Sequence, residues 1–451
     1  MYKTSKYNYV IDYKGKKLLF NGIKGAGICM TLSEWQYIDN LFKDLPFFEK
    51  HYFSDFERFK EMGYIIDSEL DELSFLKYKN KIVTYNDRDY NLTINPTLEC
   101  NFKCWYCYEN HDEGHMTSEV INAIKLHIKK LVENHVIKAL RLCWFGGEPF
   151  LYFYDVVYPI SQYAKQICCT NGVLFSNSAT TNAYCIDESM VKKMDEIDLY
   201  NFQITIDGNR ERHNKIRNND GKPSYDKIIE NIRMLCLSMH QAKISLRINY
   251  DNSTFKSNLE EILSEFTDNI KSKITIDLHR VWQTYNTTEA KENCRSGNSA
   301  LNQFVEKAVN LGYKCHCHGS LIIGTYRSCY ASKTNFVCLN YDGKIYKCTA
   351  CSFTDKDCFG ILRKDGEIEW NEARISRYYG YSPLEKKKCL ECKFLPLCMG
   401  PCPKHFMENN YNVDCAFEME ERTPEERIID LYEETLRNKN RIGVINGITY
   451  E

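Results

Sequence analysis

No apolar run in the sequence reaches the roughly 20 residues that a membrane span needs. The opening Met1-Tyr2-Lys3-Thr4 leads into no signal-peptide apolar segment. These two absences lead us to expect a soluble, cytoplasmic protein without a membrane partner. An excess of one charge is also missing, since 59 Lys and Arg stand against 61 Asp and Glu. That balance offers no electrostatic case for nucleic acid, and no long charge run reads as a solvated tail. Proline is sparse, at 10 in 451 residues, and carries no functional signal.

Cysteine is abundant, at 22 residues, in a chain long enough for two to four domains and 43% apolar. In a small secreted domain such cysteines would read as disulfides; in a large chain with no export signal they read as metal ligands or catalytic groups. Three of them, Cys100, Cys104 and Cys107, have the spacing C-x3-C-x2-C directly after a strand-like run, Tyr90 to Asn95. Soft thiolates on one tight loop suit iron–sulfur chemistry. A four-iron cube usually takes four cysteines, so three would leave one iron open to a substrate. The competing reading is three buried thiols without a chemical role. Gly146-Gly147-Glu148-Pro149 follows a second strand-like run. Its glycines would let the backbone approach a ligand, and its carboxylate would complement an ammonium. Alone, it could be an ordinary turn.

From 89 to 290 strand and helix patterns alternate. The strand candidates are 92–95, 140–145, 173–179, 202–206, 244–250 and 274–278, with helical stretches such as 120–131, 190–197, 228–239 and 259–266 between them. Six such units predict an α/β fold with a partial (βα)6 TIM-like barrel, whose chemistry sits at the C-terminal strand ends. With the cysteine loop, the aromatic Tyr106 before its last cysteine, Tyr108-Glu109 after it and the Gly-Gly-Glu-Pro turn, this region resembles the radical S-adenosylmethionine (SAM) enzymes. The resemblance implies a [4Fe–4S] cluster on Cys100, Cys104 and Cys107 that binds SAM and cleaves it reductively. It implies Gly146, Gly147, Glu148 and Pro149 around the SAM amino group. Tyr106, Thr181, Asn182, Asp207 and Arg247 become candidate SAM contacts, with His213, Arg217 and Asn249 in the same category. Loop-capping hydrogen bonds compete as an explanation for each. A flavodoxin- or ferredoxin-type reductant is implied, and no catalytic base is named.

Further on, Cys329 precedes Gly343 and Cys348. Then come Cys389-x2-Cys392-x5-Cys398-x3-Cys402 and Cys415. Cys-x2-Cys pairs also serve structural zinc. Taken together the spacings resemble a SPASM domain, which implies two auxiliary [4Fe–4S] clusters. By that resemblance Cys389, Cys392, Cys398 and Cys415 hold the distal one, and Cys329, Cys348 and Cys402 the near one. Its fourth ligand is left open between Cys317, Cys315, Cys338 and a substrate thiol. Lys314-Cys315-His316-Cys317-His318 reads equally as a zinc knuckle, an iron ligand source or neither.

The N-terminal stretch predicts a hairpin around Lys14-Gly15-Lys16. A capping box at Thr31–Glu34 then opens a helix, a further helical face carries Phe56, Phe59 and Met62, and a short strand follows at 64–66. The order suggests a winged helix and resembles the RiPP recognition element, which binds a leader peptide as an added strand. A mere cap on the barrel is the competing reading. The expected domains are therefore a winged-helix-like leader-recognition domain (1–88), the radical SAM barrel (89–290), a bridging region (291–326), the SPASM domain (327–416) and a C-terminal helix and tail (417–451). The expected function is a peptide maturase that installs a thioether or carbon–carbon crosslink in a ribosomally made precursor peptide bearing a leader. The alternatives are a sulfatase-maturing, formylglycine-generating enzyme and a non-catalytic iron–sulfur or electron-transfer protein.

Overall fold

A computed structural model describes residues 1–251, 253–281, 300–317, 329–380, 382–408, 415 and 423–441. It forms two compact units. One holds Met1–Thr84, Gly319–Cys329 and Tyr381–Glu451, the other Tyr85–His318 and Tyr330–Gly380.

The first unit begins with β1 (Tyr2–Thr4) and an antiparallel meander of β2 (Asn8–Tyr13), β3 (Lys16–Asn21) and β4 (Ala26–Met30). Lys14 and Gly15 join β2 to β3, both at positive φ (49° and 73°), the geometry of a tight hairpin turn. Helices α1 (Leu32–Lys43), α2 (Leu45–His51) and α3 (Phe53–Glu61) follow, then β5 (Ile65–Asp67), which pairs with β1, and α4 (Glu72–Thr84). The Thr31–Glu34 capping box is formed. Side chains alternate faces along a strand, and both faces of the meander are covered. Leu19 packs with Met30 and Tyr64 against the ring of Phe59. Leu18 and Phe20, with Tyr9 and Ile11, pack on Leu397 and on Ile428 of the C-terminal helix Pro424–Arg441.

The second unit alternates β6 (Asp89–Ile94), α5 (Ser118–Glu133), β7 (Ala139–Trp144), α6 (Tyr158–Thr170), β8 (Leu174–Thr181), α7 (Glu188–Glu196), β9 (Leu199–Ile206), α8 (Arg210–Ile216), α9 (Tyr225–Ser238), β10 (Lys243–Tyr250) and β11 (Ile274–Arg280). The six strands pair in parallel in sequence order, as the alternation predicts. Two further strands join the ends of this sheet. β12 (Lys314–Cys317) lies parallel to β11, and β13 (Phe336–Leu339) parallel to β6, leading into the antiparallel β14 (Lys344–Tyr346), β15 (Gly360–Leu362) and β16 (Ile368–Trp370). The sequence reading placed 314–317 in a bridging region and 336–339 among the cysteines. Each is only four residues long, and pairing with an edge strand of the six-stranded sheet defines both. Of the expected bridging region, only 300–317 are described. Cys317 ends β12, and its side chain lies outside the described residues. Among the described residues no helix is long and apolar enough to cross a membrane.

Candidate active site

The cysteine loop leaves the C-terminal end of β6. Phe102 anchors it in the core at 1% exposure. The loop turns tightly: the Phe102 N–H donates to Cys100 Sγ (3.4 Å) and the Cys107 N–H to the Cys104 carbonyl (3.0 Å). Burial pushes the Cys100 thiol up to about 12 and raises Cys104 as well, while the Arg217 cation pulls both down. Without metal these thiols stay protonated, so binding a metal there would release protons.

Cys100, Cys104 and Cys107 border a cavity of about 180 Å³, together with Tyr106, Gly146, Gly147, Thr181, Asn182 and Arg247 of the expected contacts. Arg217 and Asn249, in the same expected category, line it too, as do Gln203, Thr205, His279 and Arg280. A signal for some of these was present in the sequence. Gln203 and Thr205 alternate with Phe202, Ile204 and Ile206 on β9, and Arg247 and Asn249 with Leu246 and Ile248 on β10, so period two places each polar pair on one face. Asn182 bridges to the loop, donating to Asn101 Oδ1 (2.7 Å). Arg247 is ion-paired with the buried Asp277 (3.1 Å).

Four expected contacts do not line the cavity: Glu148, Pro149, Asp207 and His213. Glu148 is fully buried, and its carboxylate accepts from the Thr181 hydroxyl (2.7 Å) and from the backbone N–H groups of Asn182 (2.7 Å) and Phe150 (3.1 Å). Burial pushes this carboxyl up and those bonds pull it down. Glu148 thus pins the turn after β7 to the end of β8. The glycines before it face a different constraint from the expected one. Gly146 sits at φ 96°, and a Cβ there would lie 2.4 Å from the Thr97 carbonyl oxygen; at Gly147 it would lie 2.1 Å from that of Glu99. The close approach they permit is to the base of the cysteine loop. Asp207 is also fully buried. It accepts from the Tyr106 hydroxyl and lies 3.7 Å from the Arg217 guanidinium.

In the first unit Cys389, Cys392, Cys398 and Cys415 lie near enough to act on one another electrostatically. The N–H groups of Phe394 and Gly400 donate to Cys392 Sγ (3.3 Å) and Cys398 Sγ (3.5 Å), bonds that favour thiolates. Burial pushes Cys398 up to about 12. In the second unit the Ala350 N–H donates to Cys348 Sγ (3.3 Å), and the Cys351 thiol to the Cys348 carbonyl (3.1 Å). Cys329 and Cys402 are partly buried and belong to the first unit. Among the described residues no group of three or more His, Cys, Asp or Glu side chains is placed to hold a metal ion.

A cysteine loop at the first strand end of a parallel α/β barrel, beside a glycine turn and a polar cavity, defines a SAM-cleaving class of enzyme. Residues 94–279 match the Radical SAM superfamily; the chain carries a radical SAM domain and is an enzyme of that chemistry, which uses a [4Fe–4S] cluster and SAM. A cysteine-type anaerobic sulfatase-maturating enzyme of Clostridium novyi (strain NT) is 23% identical over 357 residues, 72% of this chain and 92% of the relative. Among solved structures, histidine-tagged anSMEcpe with bound AdoMet aligns with a TM-score of 0.54 at 17% identity, covering 79% of this chain and 96% of that one. Streptococcus suis SuiB bound to precursor peptide SuiA aligns with a TM-score of 0.52 at 14% identity, covering 90% and 97%.

Proposed function

We propose that the chain is a radical SAM maturase that modifies a ribosomally made precursor peptide, closing a thioether or carbon–carbon crosslink. The observation that carries this reading is the N-terminal meander with its three helices and short strand. Its edge strands β2 and β4 would offer a place for an added peptide strand. The SuiB alignment spans 90% of the chain, against 79% for anSMEcpe, so it extends over more of what surrounds the barrel. Cys100, Cys104 and Cys107 would hold the cluster. Once bound, the cluster and SAM supply the electron and the carbon radical that takes hydrogen from the peptide. The chain's own residues do the rest. The Gly146-Gly147 turn and Asn182 shape the wall beside the cysteine loop, and Arg247 and Asn249 offer polar groups from β10. Cys389, Cys392, Cys398 and Cys415 would hold one auxiliary cluster. A flavodoxin- or ferredoxin-type protein would supply electrons.

The second reading is formylglycine formation on a protein side chain. It is favoured by the Clostridium novyi relative, 92% of which aligns with this chain. The anaerobically reconstituted, dithionite-reduced protein is expected to convert SAM to 5′-deoxyadenosine, and Cys107→Ala to lose that activity. Co-expression with a candidate leader-bearing precursor peptide separates the two readings. A product short of hydrogen and free of carbonyl supports the maturase. An aldehyde trapped by a hydrazide supports the second reading. Absence of SAM cleavage returns the chain to a non-catalytic iron–sulfur protein.

A further inference from the structure

Under the cysteine loop, three strand and helix ends converge on one phenol. Tyr106 lies between Cys104 and Cys107. Its hydroxyl donates to Asp207 Oδ2, at the end of β9, and its oxygen accepts from Arg217 (2.7 Å), at the end of α8, and from Asn249 Nδ2 (3.1 Å) on β10. Asp207 and Arg217 are ion-paired, with side chains 1% and 12% exposed. The Asp207 backbone N–H donates to His213 Nδ1 (3.2 Å), and His213 bonds onward to Ser224 (3.0 Å), so the carboxylate's own position is held from behind. Arg217 also lies over the Phe102 ring, 5.8 Å from its centroid, and its charge reaches all three loop cysteines. Asp207 itself does not line the cavity.

We propose that Tyr106, Asp207 and Arg217 form a latch that fixes the cysteine loop on the ends of β9 and β10 before SAM arrives. Asp207 is then a positioning residue, acting through Tyr106, and not a SAM contact. The latch rests on the reading that Cys100, Cys104 and Cys107 hold the cluster. Its physical basis is a phenol with every hydrogen-bonding direction used in a buried setting, where such bonds are strongest. The buried guanidinium also offsets the negative charge that three metal-bound thiolates bring to the loop.

The test uses full-length protein, reconstituted anaerobically, reduced and free of SAM. The loop signal is the part of the electron paramagnetic resonance spectrum that Cys104→Ala removes. Tyr106→Phe and Asp207→Ala are each expected to lower that signal by about fivefold, the worth of one buried hydrogen bond. The double variant should fall little further, because both changes open one latch. Asp207→Asn, whose carbonyl still accepts from Tyr106, should restore most of the signal. SAM added to the remaining signal of Asp207→Ala should bind within about twofold of the wild-type affinity, because Asp207 does not line the cavity. A wild-type signal in the SAM-free Tyr106→Phe or Asp207→Ala protein overturns the latch, whether or not SAM binding weakens. So do losses that multiply in the double variant. No loop signal in the wild type would instead overturn the cluster reading. Should Tyr106→Phe fail to fold, the Asp207→Ala and Asp207→Asn pair decides alone.

Discussion

At Gly147 any side chain would meet backbone: the Glu99 carbonyl oxygen at 2.1 Å and that of Leu98 at 2.3 Å. Backbone does not yield as a flexible side chain does, so Gly147→Ala is expected to cost about 3 kcal/mol or more and to disorder the cysteine loop. A urea midpoint unchanged from wild type would contradict this. His127 sets a pH dependence. Its Nδ1 faces the Gly366 carbonyl (2.8 Å), which can only accept, so Nδ1 carries the proton and Nε2 accepts from the Tyr90 hydroxyl (2.8 Å). Burial lowers its pKa below the usual 6.5. Below that value the unfolded chain takes up a proton that the folded chain refuses. Stability from this residue is therefore full above about pH 6.5 and falls on acidification, by at most about 1.4 kcal/mol per pH unit. His127→Gln should flatten that slope in urea titrations near neutral and mildly acidic pH. At this scale the cysteine loop was legible, because three thiols on one short loop share a site in almost any fold. Glu148 and Asp207 were not, since a residue type does not say which way a side chain faces.

Among elements, the link between the meander and the distal cysteines turns on Tyr9. Its hydroxyl donates to the Lys393 carbonyl (2.5 Å), and its ring stacks on Phe394 (centroids 5.2 Å apart, planes within 11°). Both residues lie between Cys392 and Cys398. Tyr9→Phe should cost about 1 kcal/mol through the lost hydrogen bond, and Tyr9→Ala about 3–5 kcal/mol through the lost packing as well. Hydrogen exchange of 8–21 should rise in Tyr9→Ala; unchanged protection would show that the contact does not hold the strand. The hairpin, the capping box and the six βα units were readable because each rests on local chemistry: a positive-φ turn, a paired cap, alternating apolar runs. β12 and β13, four residues each, are too short for such a mark to stand out.

On the scale of the whole molecule, the first unit joins the N-terminal segment to the cysteine-rich C-terminal one. Leu397 and Ile428 share a core with Leu18 and Phe20. Deleting residues 1–88 is therefore expected to remove more than a peptide-binding surface. The reconstituted protein should lose about four irons per chain, those of the distal set, while keeping the loop signal of the barrel. Full iron content after the deletion would sink this expectation. Sequence alone determined the barrel, its six-strand order, the cysteine loop and the class of chemistry, because these depend on spacing and periodicity within short segments. Tertiary structure alone decided that Glu148 pins two turns, that Asp207 meets Tyr106 across 101 residues, and that the first 84 residues share a core with the last cysteines. Each of these is a contact between distant segments, selected by burial and by the pairing of buried polar groups, and no local pattern encodes it.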